Sequence, residues 1–170
     1  MSAHQTVYRK KKMIQVQITD VKNFMNTLLA TDTFDPFLFV EASIRMGVSY
    51  HIDGRLNKDF YDSDLQISRE FCLWKEIRQH IFSIIKGKRL PLAMKIVLAL
   101  PESASRNLIE SSGGPLFAED IQGMYLNILF SPDHLSLTTG LSARTFTMDR
   151  TLEHAFDDFT ARFLKERQLA

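Results

Sequence analysis

Five histidines, one cysteine and twenty acidic residues are the groups with which this chain could do metal or acid–base chemistry. Their spacing supports little of it. His4, His51, His80, His134 and His154 are scattered, with no His-x-x-x-His pair. His51 and Asp53 stand two apart on an expected strand, so their side chains share a face. Two ligands on one face fall short of a metal site, and a third, from His154 or Asp157, is not required by any spacing. No metal is expected. Asp59, Asp62 and Asp64 lack the pattern of a calcium loop and read as an acid-rich approach to a helix. Cys72 lies between Phe71 and Leu73, about two turns inside an expected helix. There it lacks the cationic neighbour or helix N-terminus that lowers a thiol pKa, and it reads as a core residue. Asp157 and Asp158 are adjacent on a helix and point about 100° apart, so they form no dyad. Glu153 and Asp157 do share a face, which reads as an exposed acidic one. Neither a nucleophile elbow nor a phosphate-binding glycine loop is present. No catalytic residue and no cofactor are expected, and the balance leans away from an enzyme.

Two sets of contact residues remain. Lys86, Lys88 and Arg89 make a compact cationic point just past a helix, and Arg55 and Lys58 could extend it. This is a candidate anion or nucleic-acid contact, although cations at a helix C-terminus also complement its dipole. His51, Asp53 and Arg144, placed at strand ends, are the alternative: the polar groups of a small-ligand site or an enzyme. The first reading makes the protein a non-enzymatic binding or interaction module with a protein or nucleic-acid partner. A homo-oligomer built on apolar helix faces is a third reading.

The elements that must position these groups follow from periodicity. Met13–Ile18 alternates like a half-buried strand. Thr19-Asp20 then precedes Val21, Phe24, Met25, Leu28 and Leu29, the spacing of an amphipathic helix. Phe37–Ile44 and Val48–Ile52 read as strands with Gly47 at their turn. Ser63 and Gln66 fit a capping box for a long helix that runs to Lys86. Leu92–Leu100 is a strand, and 101–112 a helix stopped by Gly113-Gly114. Met124–Phe130, His134–Thr139 and Ala143–Met148 read as three short strands, with Gly140 at a turn. Asp149 caps a last helix. The expected class is α+β, a single domain with a mainly antiparallel sheet and about four helices. Residues 13–53 and 92–139 share the order strand, helix, strand, strand, a βαββ-type pattern repeat without residue identity.

The chain has 170 residues, 45% of them apolar, and a net charge of +1. That length suits one domain, and one cysteine excludes a disulfide framework or a multi-cysteine metal site. Near-zero charge argues against a strongly electrostatic nucleic-acid binder. The charge is uneven. Arg9–Lys12 holds four of the 21 basic residues and no acid sits beside them, so the body from Met13 carries 17 basic against 20 acidic residues, −3. Residues 1–12 read as a basic tail and 13–170 as the domain. Arg9–Lys12, whose codons are purine-rich, could also be a translated ribosome-binding sequence, with Met13 as the start. No apolar run approaches the ~18 residues of a membrane span, and the N-terminus lacks a secretory apolar region. A cytoplasmic protein with no membrane partner is expected.

Ile18–Met25, Ile52–Asn57, Ile85–Pro91, Arg144–Thr147 and Leu152-Glu153-His154 together resemble a small family of uncharacterised bacterial proteins from Gram-positive anaerobes. That family is classed only as a domain of unknown function. The resemblance covers Met13 to the C-terminus and implies a single cytoplasmic domain. It carries over no catalytic residue. The strand–helix–strand–strand order is also similar, at the level of fold alone, to half of a sliding-clamp domain. The long helix to Lys86 and the shortage of basic helices depart from that scheme.

Overall fold

The computed structural model describes residues 14–62 and 67–170. The expected tail, Met13, Asp64 and the Ser63–Gln66 capping box lie outside them. In chain order the elements are β1 (Gln15–Gln17), α1 (Val21–Ala30), β2 (Leu38–Arg45), β3 (Ser49–Asp53), α2 (Trp74–Ile85), β4 (Ala93–Ala99), α3 (Glu102–Ser112), β5 (Ile121–Ser131), β6 (His134–Ala143) and α4 (Thr151–Glu166).

Local chemistry sets several boundaries. Asp20 Oδ1 accepts the Asn23 N–H at 3.0 Å and caps α1. Glu76 reaches back to accept the Leu73 N–H at 2.6 Å and starts α2. Asp149 Oδ1 accepts the Thr151 N–H at 3.0 Å at the head of α4. Gly113 ends α3 in the left-handed conformation.

The six strands form one sheet in the order β1-β6-β5-β4-β2-β3, antiparallel throughout. Alternation along the strands puts Ala42, Ile96, Ile128 and Leu137 in one row across four neighbouring strands, and Leu98 beside Leu126 in the next. These side chains are buried. They share the core with Phe24 and Leu28 of α1, Trp74 and Ile81 of α2, and Leu152, Phe156 and Phe163 of α4. Phe163 also meets Phe34 and Phe37 edge-on, with centroids at 5.3 and 5.4 Å.

The α+β class and the antiparallel sheet agree with the reading of the sequence, and three details differ. The long helix is α2 alone. Phe71 and Leu73 instead make isolated bridges to Arg55 and Leu38, so the chain before Trp74 is extended. Cys72 therefore precedes α2 rather than lying within it, and its N–H and C=O bond to Gly54 and Phe39. The third C-terminal strand does not form. β6 runs on through Gly140 to Ala143, and Phe146 is 90% exposed. Finally, the repeated element order does not become two equivalent halves. β4, β5 and β6 are neighbours, whereas β1 sits at the edge farthest from β3. The likeness to two clamp halves stops there.

Candidate functional site

Antiparallel pairing brings the start of β2, the end of β4, the start of β5 and the end of β6 to one end of the sheet. A cleft of about 870 Å³ opens there. One wall is the extended segment 68–73, and the other is the first half of α3. Leu38, Leu73, Leu100, Ile109 and Ile121 give it an apolar lining. Arg69, Arg106 and Arg144 bring three guanidinium groups to it. A cleft of this size with an apolar lining and a few polar groups is the usual form of a small-molecule site.

The three arginines differ in their commitments. Arg69 Nη2 donates to both Glu76 carboxylate oxygens at 2.9 Å. Arg106 donates to Glu102, one turn away, at 2.8 Å. The Arg144 backbone N–H donates to the Asp120 carbonyl at 2.7 Å. Its exposed side chain has no ion pair among the described residues.

Tyr125 completes the site. Its ring lies directly against Gly123, two residues back on the same face of β5, where a Cβ would collide with the ring edge and hydroxyl. Glycine at 123 thus lets the ring lie along the strand toward the cleft. Burial pushes the Tyr125 hydroxyl pKa up, Glu70 pushes it further, and Arg144 pulls it back. Both charged groups lie close enough to act on the Tyr125 hydroxyl. A second, smaller cavity of about 480 Å³ shares Arg106, Ile109 and Ala118 with the first and passes beside the exposed Phe117.

Of the residues singled out in the sequence, Arg144 lines the cleft; His51 and Asp53 do not. They lie on edge strand β3, opposite Ser43 and Glu41, and Asp53 Oδ1 accepts the Arg55 N–H at 2.9 Å. The cationic set is also divided. Lys86, Lys88 and Arg89 precede the start of β4, at the end of the sheet away from the cleft, because Ala93 pairs with Arg45. Arg55 lies near the cleft end, paired with Glu70 at 2.8 Å and set over the Phe71 ring. Lys58 sits in a short 3-10 turn just beyond it. Among the described residues no three His, Cys, Asp or Glu side chains gather as a metal site would require. Cys72 is half-buried, and burial pushes its thiol pKa up, which disfavours the reactive thiolate.

A family model matches residues 27–170. The chain belongs to DUF5721, a family of unknown function. The part that matches DUF5721 contains every cleft-lining residue named above. No curated protein and no solved structure matches the chain. Sequence reasoning missed Tyr125, Gly123, Arg69 and Arg106. The only local signal was the Gly123–Tyr125 spacing at the start of a strand, and nothing in the sequence joined it to Arg144.

Proposed function

We propose that this DUF5721 protein is a non-enzymatic binding module whose cleft takes a small anion with an apolar body, such as a carboxylate or a phosphomonoester. The observation that carries the reading is Arg144, a guanidinium with no acidic partner among the described residues, set beside an apolar lining. A guanidinium offers a planar fork of donors that matches a carboxylate or phosphate. The lining acids favour binding over catalysis, since Glu70 is tied to Arg55 and Glu102 to Arg106. The reading places the protein in the cytoplasm of a bacterium, as the family resemblance implies. His51 and Asp53 stay outside this cleft, so the ligand reading rests on Arg144.

The test is a melting-temperature screen with short- and medium-chain carboxylates and aromatic phosphomonoesters, followed by calorimetry on any hit. A true ligand at 100 times its Kd stabilises by about 2.7 kcal/mol, an easily read shift. Arg144→Ala should weaken the hit at least tenfold without lowering the melting temperature of the free protein. A hit that binds Arg144→Ala equally well, or a panel with no hit, overturns the reading.

A further inference from the structure

We propose that the end of the sheet opposite the cleft is a peripheral contact for an anionic lipid surface. Beside the β5–β6 turn, which holds Asp133, two loops meet there. One is the tight β2–β3 turn, closed by the Met46 N–H on the Val48 carbonyl at 3.0 Å, with Val48 64% exposed. The other is the 86–92 connection between α2 and β4. The Leu92 N–H donates to the Arg45 carbonyl at 2.8 Å, which holds the two loops side by side.

Exposed apolar and cationic side chains alternate on these loops. Leu90 is 66% exposed and Leu92 58%, and Phe82 is exposed one turn before Lys86. Arg45, Lys86, Lys88 and Arg89 are all exposed. None of the four forms an ion pair among the described residues. Neither 45–49 nor 82–92 contains an acid. A helix-dipole role accounts for Lys86, the C-terminal residue capping α2, but not for the apolar loops.

Charge and apolarity together select the partner. Nucleic-acid phosphates would engage the cations and leave the leucines in water. An uncharged protein surface would do the reverse. An anionic bilayer engages both: apolar side chains enter the boundary between headgroups and acyl chains, and the cations meet the headgroups. Both described clefts lie at the other end of the fold, and here the apolar groups stand on connecting loops. That form suits a deformable surface better than an inserted peptide. The sequence led us to expect no membrane partner. No described helix is long and apolar enough to cross a membrane, and a surface contact needs none. This proposal is independent of the cleft.

The test is co-sedimentation of the full chain with vesicles of phosphatidylcholine alone or with a quarter phosphatidylglycerol. Binding is expected only to the anionic vesicles and is expected to weaken as salt rises. K86E/K88E/R89E should weaken it at least tenfold, and L90D/L92D should do the same with the charge sites intact. All five positions are exposed, so melting temperatures should stay within a few degrees of the parent. No binding, or equal binding to neutral vesicles, overturns the proposal. Unchanged binding by K86E/K88E/R89E overturns it too, since the contact would then lie elsewhere, for example at Arg9–Lys12. So does retention by L90D/L92D with competition from duplex DNA, which would make the surface a nucleic-acid contact.

Discussion

Asp157 shows how one carboxylate can both tie the fold and weigh on it. Its Oδ1 accepts the Thr139 hydroxyl at 2.7 Å, while the same hydroxyl oxygen accepts the Ile14 N–H at 3.0 Å. A single relay thus joins α4, β6 and the start of β1. Burial raises the Asp157 pKa from its ordinary value, more than the Thr139 bond and nearby His154 lower it. The folded chain therefore holds this proton more tightly than the unfolded one. The ionised group costs stability at neutral pH, and that cost fades as pH falls through the raised pKa. Asp157→Asn keeps an acceptor for Thr139 and removes the charge. It should match the parent within about 1 kcal/mol at neutral pH or exceed it, and any advantage should shrink on acidification. Melting temperature against pH for both proteins checks this; an advantage that grows toward low pH would contradict it. Gly54 poses a steric question instead. A Cβ there would strike the carbonyl and ring of the fully buried Phe39. Gly54→Ala should cost about 1–3 kcal/mol by overpacking, read as a shift in the denaturant midpoint.

At the scale of elements, α2 is fastened to α1 and the loop after it by two side chains one turn apart. The Trp74 indole N–H donates to the Leu28 carbonyl at 2.8 Å. Arg78 grips both oxygens of Asp35 at 2.8 and 3.0 Å, with both side chains under 20% exposed. Removing one partner leaves the other charge in a poorly solvated place, so Asp35→Ala should cost about 2–4 kcal/mol. Trp74 is the only tryptophan and is fully buried, so its fluorescence follows unfolding directly. A loss under about 0.5 kcal/mol would show that the pair is merely superficial. These elements were legible in the sequence where periodicity and caps agree, as in α1, α3, α4 and the β2–β3 hairpin. Phe71 misled because its spacing to Trp74 and Ile77 continues the apolar stripe of α2, whereas backbone bridges from Phe71 to Arg55 and from Leu73 to Leu38 claim this stretch for an extended segment. The apparent strand after Ala143 failed for a related reason: among the described residues Phe146 and Met148 find no neighbouring strand to pair with, and both stay exposed. The cleft was hardly legible, since its residues come from five separate stretches of chain. Arg144 could be named from its place at a strand end, but spacing along the chain carries no information about what lies opposite.

For the whole molecule, the strand order fixes where rigidity lies. β4 and β5 occupy the middle of the sheet, and Ile96, Leu98, Leu126 and Ile128 are almost wholly buried within it. β1 is three residues at one edge, paired with residues more than a hundred positions later, Gln15 with Thr138. Its closure must await the rest of the sheet, because loop entropy is spent before that contact returns anything. Both proposed contact surfaces sit at strand ends, separated by the length of β4, about 20 Å at the rise of a strand. The centre is thus a scaffold, and exchange with solvent should be graded outward from it. Amides of Ile96, Leu98, Leu126 and Ile128 should open only with global unfolding, on the order of 5–15 kcal/mol. The Val16 amide should exchange through local opening several kcal/mol lower, with Ile18, whose N–H donates to the Leu135 carbonyl, in between. Native-state hydrogen exchange at residue resolution measures this directly. Equal protection of β1 and β4 would mean that the Thr139–Asp157 relay binds the edge into the central unit, and Asp157→Ala should then release β1 alone.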